Sequence, residues 1–202
     1  MNKSDLLRSI AEKGYDVGFG AKKHLATYDI VDKVPGLIGF ASLAFGIFAL
    51  VVKGLSTELT SATLIVFGII GLYISFYDEK KLSYEQAGVK LTKLYNELKA
   101  LYFKTKSFDE NSDFTVLQAE LSEIESRYYP ECISKQILFS NWYAHYKFFW
   151  EHQIDWVNEQ LAFRFFRDKV PLSLWFTVVL ALLGIIVFSS DLLSLACYFL
   201  EK

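Results

Sequence analysis

Three apolar runs without a single Asp, Glu, Lys, Arg or His, at 34–52, 59–77 and 170–190, limit what this chain can fold into. A hydrocarbon core roughly 30 Å thick is crossed by about 20 mostly apolar residues of helix. A helix is required because its backbone amides are all satisfied within the segment. Each run has that length. The fold class that follows is an all-α membrane protein with an N-terminal transmembrane helical hairpin, a helical bundle in water and a third, C-terminal transmembrane helix. The implied divisions are N-terminal helices over 1–33, the hairpin over 34–77, the bundle over 78–169, and the third span with its tail over 170–202.

Composition agrees with this division. At 52% apolar residues the chain is too greasy for an ordinary soluble domain, and at 22% charged residues it is too polar to lie wholly in lipid. The charge lies outside the runs: residues 78–169 hold 13 basic and 15 acidic side chains, and residues 1–33 hold six and five. No block of one sign stands out, so duplex DNA is not an expected partner. The first 33 residues lack an apolar signal-peptide core, and the first run is expected to act as an anchor. The loop between the first two runs carries one cation, Lys53, whereas 1–33 and 78–169 together hold 19 of the 21 Lys and Arg. The positive-inside bias places the N-terminus and the bundle in the cytoplasm, with the hairpin loop outside. Residues 191–202 then end outside or fold back along the interface. Cys132 and Cys197 have neither metal-ligand nor disulfide spacing and read as buried or lipid-facing thiols.

Within 1–33, Ser4 and Asp5 precede Leu6, Leu7 and Ile10 as a helix start, Gly14, Gly18 and Gly20 interrupt, and a second short helix runs over 21–31 to Pro35. Small residues recur along one face of each of the first two spans, at Gly39, Ser42, Gly46 and Ala49 and at Ser61, Gly68, Gly71 and Ser75. Such faces let membrane helices approach closely, either within a tight hairpin or between subunits around a pore. Ala87, Leu91, Leu94, Leu98 and Leu101 alternate four and three, as do Phe114, Leu117, Leu121, Ile124 and Tyr128 with the reverse order, which predicts two packed helices stopped by Pro130. From Cys132 to Pro171 no breaker occurs, so one long helix is expected to run into the third span. Its aromatic stripe (Phe139, Trp142, Tyr143, Tyr146, Phe149, Trp150, Trp156) reads as a packing face. Phe163, Phe165, Phe166 and Trp175 read as an interfacial belt flanked by Arg164, Arg167 and Lys169.

Catalytic chemistry is hard to find. His145, Glu151, His152, Asp155 and Glu159 gather on one segment, but no metal-binding motif accompanies them, so neither a metal nor another cofactor is expected. The histidines read as ordinary hydrogen-bonded side chains, and the chain is not expected to be an enzyme. GFGAKK at 18–23 lacks Walker and dinucleotide spacing, but a backbone turn beside Lys22, Lys23 and His24 would suit an anion. The spans hold no ionisable residue of the kind that proton-coupled transporters use.

The stretches YDVGFGAKKHLATYDIVDKVPG before the first span and FFWEHQIDWVNEQLAFRFFRDKVPLSL before the third, with a membrane hairpin and a helical bundle between them, resemble the SLATT family. These are small membrane effector domains found beside nucleotide-signalling proteins in bacterial conflict systems. The resemblance implies a pore-forming or ion-conducting homo-oligomer, a tetramer in the simplest reading, in the bacterial cell membrane. It further implies control by a partner nucleotidyltransferase or its nucleotide or oligonucleotide product. For such a ligand the juxtamembrane cations Lys22, Lys23, Arg164, Arg167 and Lys169 are the candidates, with the small residues Gly39, Ser42, Gly46, Gly68, Gly71 and Ser75 for the pore or helix packing. A non-conducting scaffold that recruits a partner through its aromatic helix is the rival expectation. The third apolar run departs from the two-span pattern of the family.

Overall fold

The computed structural model describes the backbone of residues 2–52, 54, 55, 57–110 and 112–200, with side chains among these as far as Ile186. Among the described residues all regular structure is helical. Two compact units divide the chain, residues 1–162 and 163–202. Lys53, the side chain of Cys197 and the side chains of the 191–202 tail, on which part of the expected topology rests, lie outside the described residues.

Helix α1 spans Lys3–Val51, and its 49 residues at 1.5 Å per residue make it about 73 Å long. Asn2 caps it, accepting from the Asp5 amide at 2.8 Å. The expected interruptions at Gly14, Gly18 and Gly20 do not occur. Two of these glycines are contact points for rings from other helices. A Cβ on Gly14 would strike the Trp156 indole, and one on Gly18 would lie 2.7 Å from the Tyr95 ring and 2.9 Å from that of Phe148. A glycine inside a helix costs about 1 kcal/mol. Burying one aromatic ring of 150–250 Å² returns roughly 4–6 kcal/mol, so the contact wins. Pro35 is likewise inside α1, not at its start, and supplies no amide to the Val31 carbonyl one turn back.

Helix α2 (Glu58–Ser75) returns against α1, with Thr57 accepting from the Thr60 amide at 3.2 Å. Its inward positions are Thr60, Leu64, Phe67, Gly71 and Ile74, a four–three alternation of which only Ile74 is fully buried. None of the most apolar stretch of α1 is buried within the chain. Phe40, Leu43, Phe48 and Leu50 are all more than 60% exposed. A core helix of a soluble protein would be covered, and an apolar surface of this extent requires lipid or another chain. Both helices are long and apolar enough to cross a membrane.

Helix α3 (Lys81–Ser107) packs along the N-terminal half of α1 and is flanked by α4 (Thr115–Tyr128). The expected seams are found: Ala87, Leu91, Leu94, Leu98 and Leu101 are buried, and so are Phe114, Leu117, Leu121 and Ile124. Pro130 closes α4 in a short 3-10 turn.

The expected continuous helix from Cys132 does not form. Residues 132–139 run without helix, and Phe139 adopts φ 66°. They are followed by α5 (Ser140–Phe149), α6 (Asp155–Leu161) and, after Ala162 at φ 47°, by α7 (Phe165–Asp168) and α8 (Leu172–Leu200). The aromatic stripe is inward only in part. Phe149 and Trp156 are buried, as are Ser140, Ala144 and Phe148, while Phe139, Tyr146 and Trp150 are more than half exposed. Cys132, expected to be buried or in lipid, is an exposed free thiol. The physical reason for the break is that the backbone of 132–139 is bonded by side chains of α1, α2 and α3, partners that no local spacing contains.

Replacement of Gly18 by Ala tests the packing account. The clash with two fixed rings costs about 1–3 kcal/mol and the better helix former restores about 1. A net loss on the order of 1 kcal/mol is expected from denaturant unfolding of the detergent-solubilised protein, and an unchanged or higher stability would refute the ring contact.

Candidate functional site

Two features of the first unit involve groups that the helical scaffold alone does not require. One is a basic cluster. Lys22, half-buried on α1, lies in electrostatic range of Lys147 on α5 and of Glu151; burial first, then Lys147, lower its pKa. His152 senses both Lys22 and Lys99 of α3, and burial followed by these two cations pushes it down to about 4. Among the described residues neither Lys22 nor Lys99 has a carboxylate at ion-pair distance. Lys147 pairs with Asp29, which also takes Lys33.

The floor of the cluster is aromatic. The Tyr95 ring lies 4.7 Å from the His152 ring, and its hydroxyl donates to the Gln153 carbonyl at 3.0 Å while accepting from the Trp156 indole at 2.9 Å. Beside it His145 packs between Phe19 (4.8 Å) and Phe149 (5.6 Å), and its buried Nδ1 has no hydrogen-bond partner. Burial lowers its pKa. The expectation of ordinary hydrogen-bonded histidines therefore fails at His145. Cations in excess over carboxylates can neutralise phosphate, while the Tyr95 and Trp156 rings beneath them are buried and serve as packing.

The second feature is the strap 132–139, which ties the spans to the bundle. His24 accepts from the Ile133 amide through Nε2 at 2.9 Å, with Nδ1 2.7 Å from the Gly20 carbonyl, so the neutral ring carries its proton on Nδ1. Thr27 donates to Gln136 (2.5 Å) and Tyr84 to the Lys135 carbonyl (2.5 Å). Tyr73 of α2 accepts from the Leu138 amide at 3.3 Å. Beneath these bonds Val31, Ile74, Tyr77, Tyr84 and Ile137 form one small core that joins α1, α2, α3 and the strap. Burial lowers the His24 pKa, with Lys23 adding to it.

The sequence candidates separate accordingly. No anion-binding turn forms at 18–23, because those amides are inside α1. Lys22 enters the basic cluster, whereas Lys23 lies in electrostatic range of His24. Arg164, Arg167 and Lys169 belong to the second unit, where Asp168 accepts from the Arg164 amide at 2.8 Å and from the Arg167 guanidinium at 3.0 Å. A Cβ on Gly39, Gly46, Gly68 or Gly71 would meet nothing within 4 Å. Ser42 is half-buried, and the exposed Ser75 donates to the Leu72 carbonyl at 2.8 Å. Sequence reading missed Lys99, Lys147 and the strap, since their relation to Lys22 and His24 is long-range.

A hairpin of two apolar helices continuous with a helical bundle that offers a cluster of cations defines a membrane-anchored helical module. The chain belongs to the SLATT family: residues 1–178 match the domain described as SMODS and SLOG-associating 2TM effector domain 6. No curated protein and no solved structure matches it. The family match takes in both spans and the bundle and ends inside the third apolar run. Membership makes the protein a membrane effector of defence systems.

Depressed histidines set a pH dependence of known sign. An unfolded histidine binds a proton near its ordinary value of about 6.5. The folded chain keeps His152 neutral down to about 4. The stability is therefore complete above about pH 6.5 and falls as pH drops through this window. A melting temperature that decreases from pH 7 to 5, with a shallower decrease in His152→Gln, is expected by calorimetry; superimposable profiles would remove His152 from the account.

Proposed function

We propose that this protein is a homo-oligomeric channel of the bacterial cell membrane, a tetramer in its simplest form, that acts in anti-phage defence by depolarising the cell. Its N-terminus and bundle face the cytoplasm, the hairpin loop faces outward, and α8 forms a third span. A nucleotide or oligonucleotide made by a partner nucleotidyltransferase binds the bundle at Lys22, Lys99, Lys147 and His152 and shifts the pore between two states. Lys23, Arg164, Arg167 and Lys169 contribute juxtamembrane charge.

One observation carries the reading. The hairpin closes on itself through Leu64, Phe67 and the inward Gly71, and leaves the exposed Gly39, Gly46 and Gly68 without a neighbour that a Cβ would touch. In lipid, close approach through small residues is a principal means of helix association. These faces are therefore free to meet other copies. Two further points support it. The spans carry no charge that would fix a counter-ion, and α1 runs from the ligand-facing bundle into the membrane without a break. This continuous path replaces the long helix expected before the third span.

Purified protein in planar bilayers is expected to give discrete conductance. Gly39→Leu and Gly68→Leu add bulk where the single chain has room, so the hairpin keeps its helicity while assembly and conductance fall by at least about tenfold, a loss of about 1.4 kcal/mol per interface. Lys22→Glu with Lys99→Glu abolishes the nucleotide response and preserves the basal current. Full conductance in both glycine variants would refute the pore assignment. A silent bilayer with tight binding of a soluble partner to the exposed Tyr146 and Trp150 face would favour the scaffold instead.

A further inference from the structure

Where the spans meet the bundle, an apolar cavity of about 290 Å³ lies between α1, α2 and the strap, walled by Val34, Ile70, Ile74, Ile137 and Phe139. Its polar lining is almost nil apart from Tyr73, whose hydroxyl is already committed to the Leu138 amide. The walls continue directly into the lipid-facing surface: Ile70 and Tyr73 are about 40% exposed, and Leu138 and Phe139 on the strap are 61% and 55% exposed. Phe139 packs on Trp142 at 5.1 Å, which makes an aromatic edge at the level where a membrane interface is expected. In water this cavity and this strap would expose hydrocarbon; beside a bilayer they are open to an acyl chain.

The rim has the charge for a headgroup. The Lys135 ammonium lies 5.0 Å from the centre of the Tyr77 ring and, among the described residues, has no carboxylate at ion-pair distance. One turn above Val34, Lys33 and Lys147 share the single carboxylate of Asp29. At this joint Lys33 and Lys147 are met by Asp29, and Lys81 by Asp32 and Asp78, which leaves Lys135 as the cation without a carboxylate among the described residues.

We infer that this joint is a binding site for one anionic phospholipid, its acyl chain in the cavity and its phosphate at Lys135. The site is independent of the channel reading, because it requires only that the hairpin lies in a bilayer. Occupancy fills the space between strap and spans and so holds Leu138 and Tyr73 in place. A lipid seated there stabilises the bonded form of the strap over any form in which it has lifted away.

Native mass spectrometry of the full chain, released from detergent with phosphatidylglycerol or phosphatidylcholine, tests this. One retained phosphatidylglycerol per chain is expected, in preference to phosphatidylcholine. Lys135→Gln reduces that preference about fivefold, the effect of one cation at a charged membrane surface. Ile70→Trp fills the cavity and removes retention of both lipids, while Ile65→Trp, on the exposed side of α2, leaves it intact. An Ile70→Trp variant that retains lipid like the wild type overturns the cavity assignment, and equal retention of the two lipids by the wild type overturns the headgroup assignment. A second readout needs no cavity variant. Phosphatidylglycerol brominated on its acyl chains, mixed into phosphatidylcholine vesicles with the full-length protein, should quench the Trp142 component of the fluorescence, defined by difference from Trp142→Phe. Trp142 emission no more quenched than by brominated phosphatidylcholine would also refute the site.

Discussion

Inside a hydrocarbon core a backbone amide has no partner but its own helix, and this constraint organises the molecule from α1 outward. Once 34–51 must be helical, continuing the same helix into water is cheaper than nucleating another beside it. α1 therefore becomes a spine of 49 residues that serves two solvents. Its apolar end faces lipid, and its N-terminal half carries the bundle, with α3, α5 and α6 laid along it. Close approach is set by Gly14 and Gly18, where rings rest directly on the backbone. The spacing of those rings determines where Tyr95 and Trp156 lie, and through them where His152 faces Lys22 and Lys99.

Features with a local period were legible in the sequence. The first two apolar runs correspond to the two candidate spans, and the seams of α3 and α4 name buried residues correctly except Tyr128, which is half-buried, while missing Tyr84, Tyr95 and Tyr102 on α3. Family words around Pro35 and Pro171 led to the SLATT family. Features set by distant partners were not legible. Gly14 and Gly18 looked like breaks because nothing near them in the chain reports the Trp156 and Tyr95 rings. The 132–139 strap looked helical because the sequence contains no breaker there, and its replacement bonds come from His24, Thr27, Tyr73 and Tyr84. The basic cluster was half visible: Lys22 was singled out for its neighbours in sequence, whereas its neighbours in space are Lys99, Lys147 and His152.

The division between what is packed and what is left open also has a functional meaning. The bundle satisfies its own seams, and exposed ion pairs such as Lys104–Glu120 and Lys106–Glu159 add only a fraction of a kcal/mol each to it. By contrast the small-residue faces of the hairpin, the half-buried cations near His152 and the cavity under the strap are incomplete as a single chain. Each would be completed by a different class of partner: another copy, a phosphate-bearing signal and a lipid.

Pro35 stands next to Val34, a wall of the cavity under the strap. By withholding an amide from Val31 it removes a rung of α1 beside the small core of Val31, Ile74, Tyr77 and Ile137. The helix is consequently least supported by its own hydrogen bonds at this level. A tilt of the water-facing half about Pro35 would reach the apolar half as a change of angle and not of length.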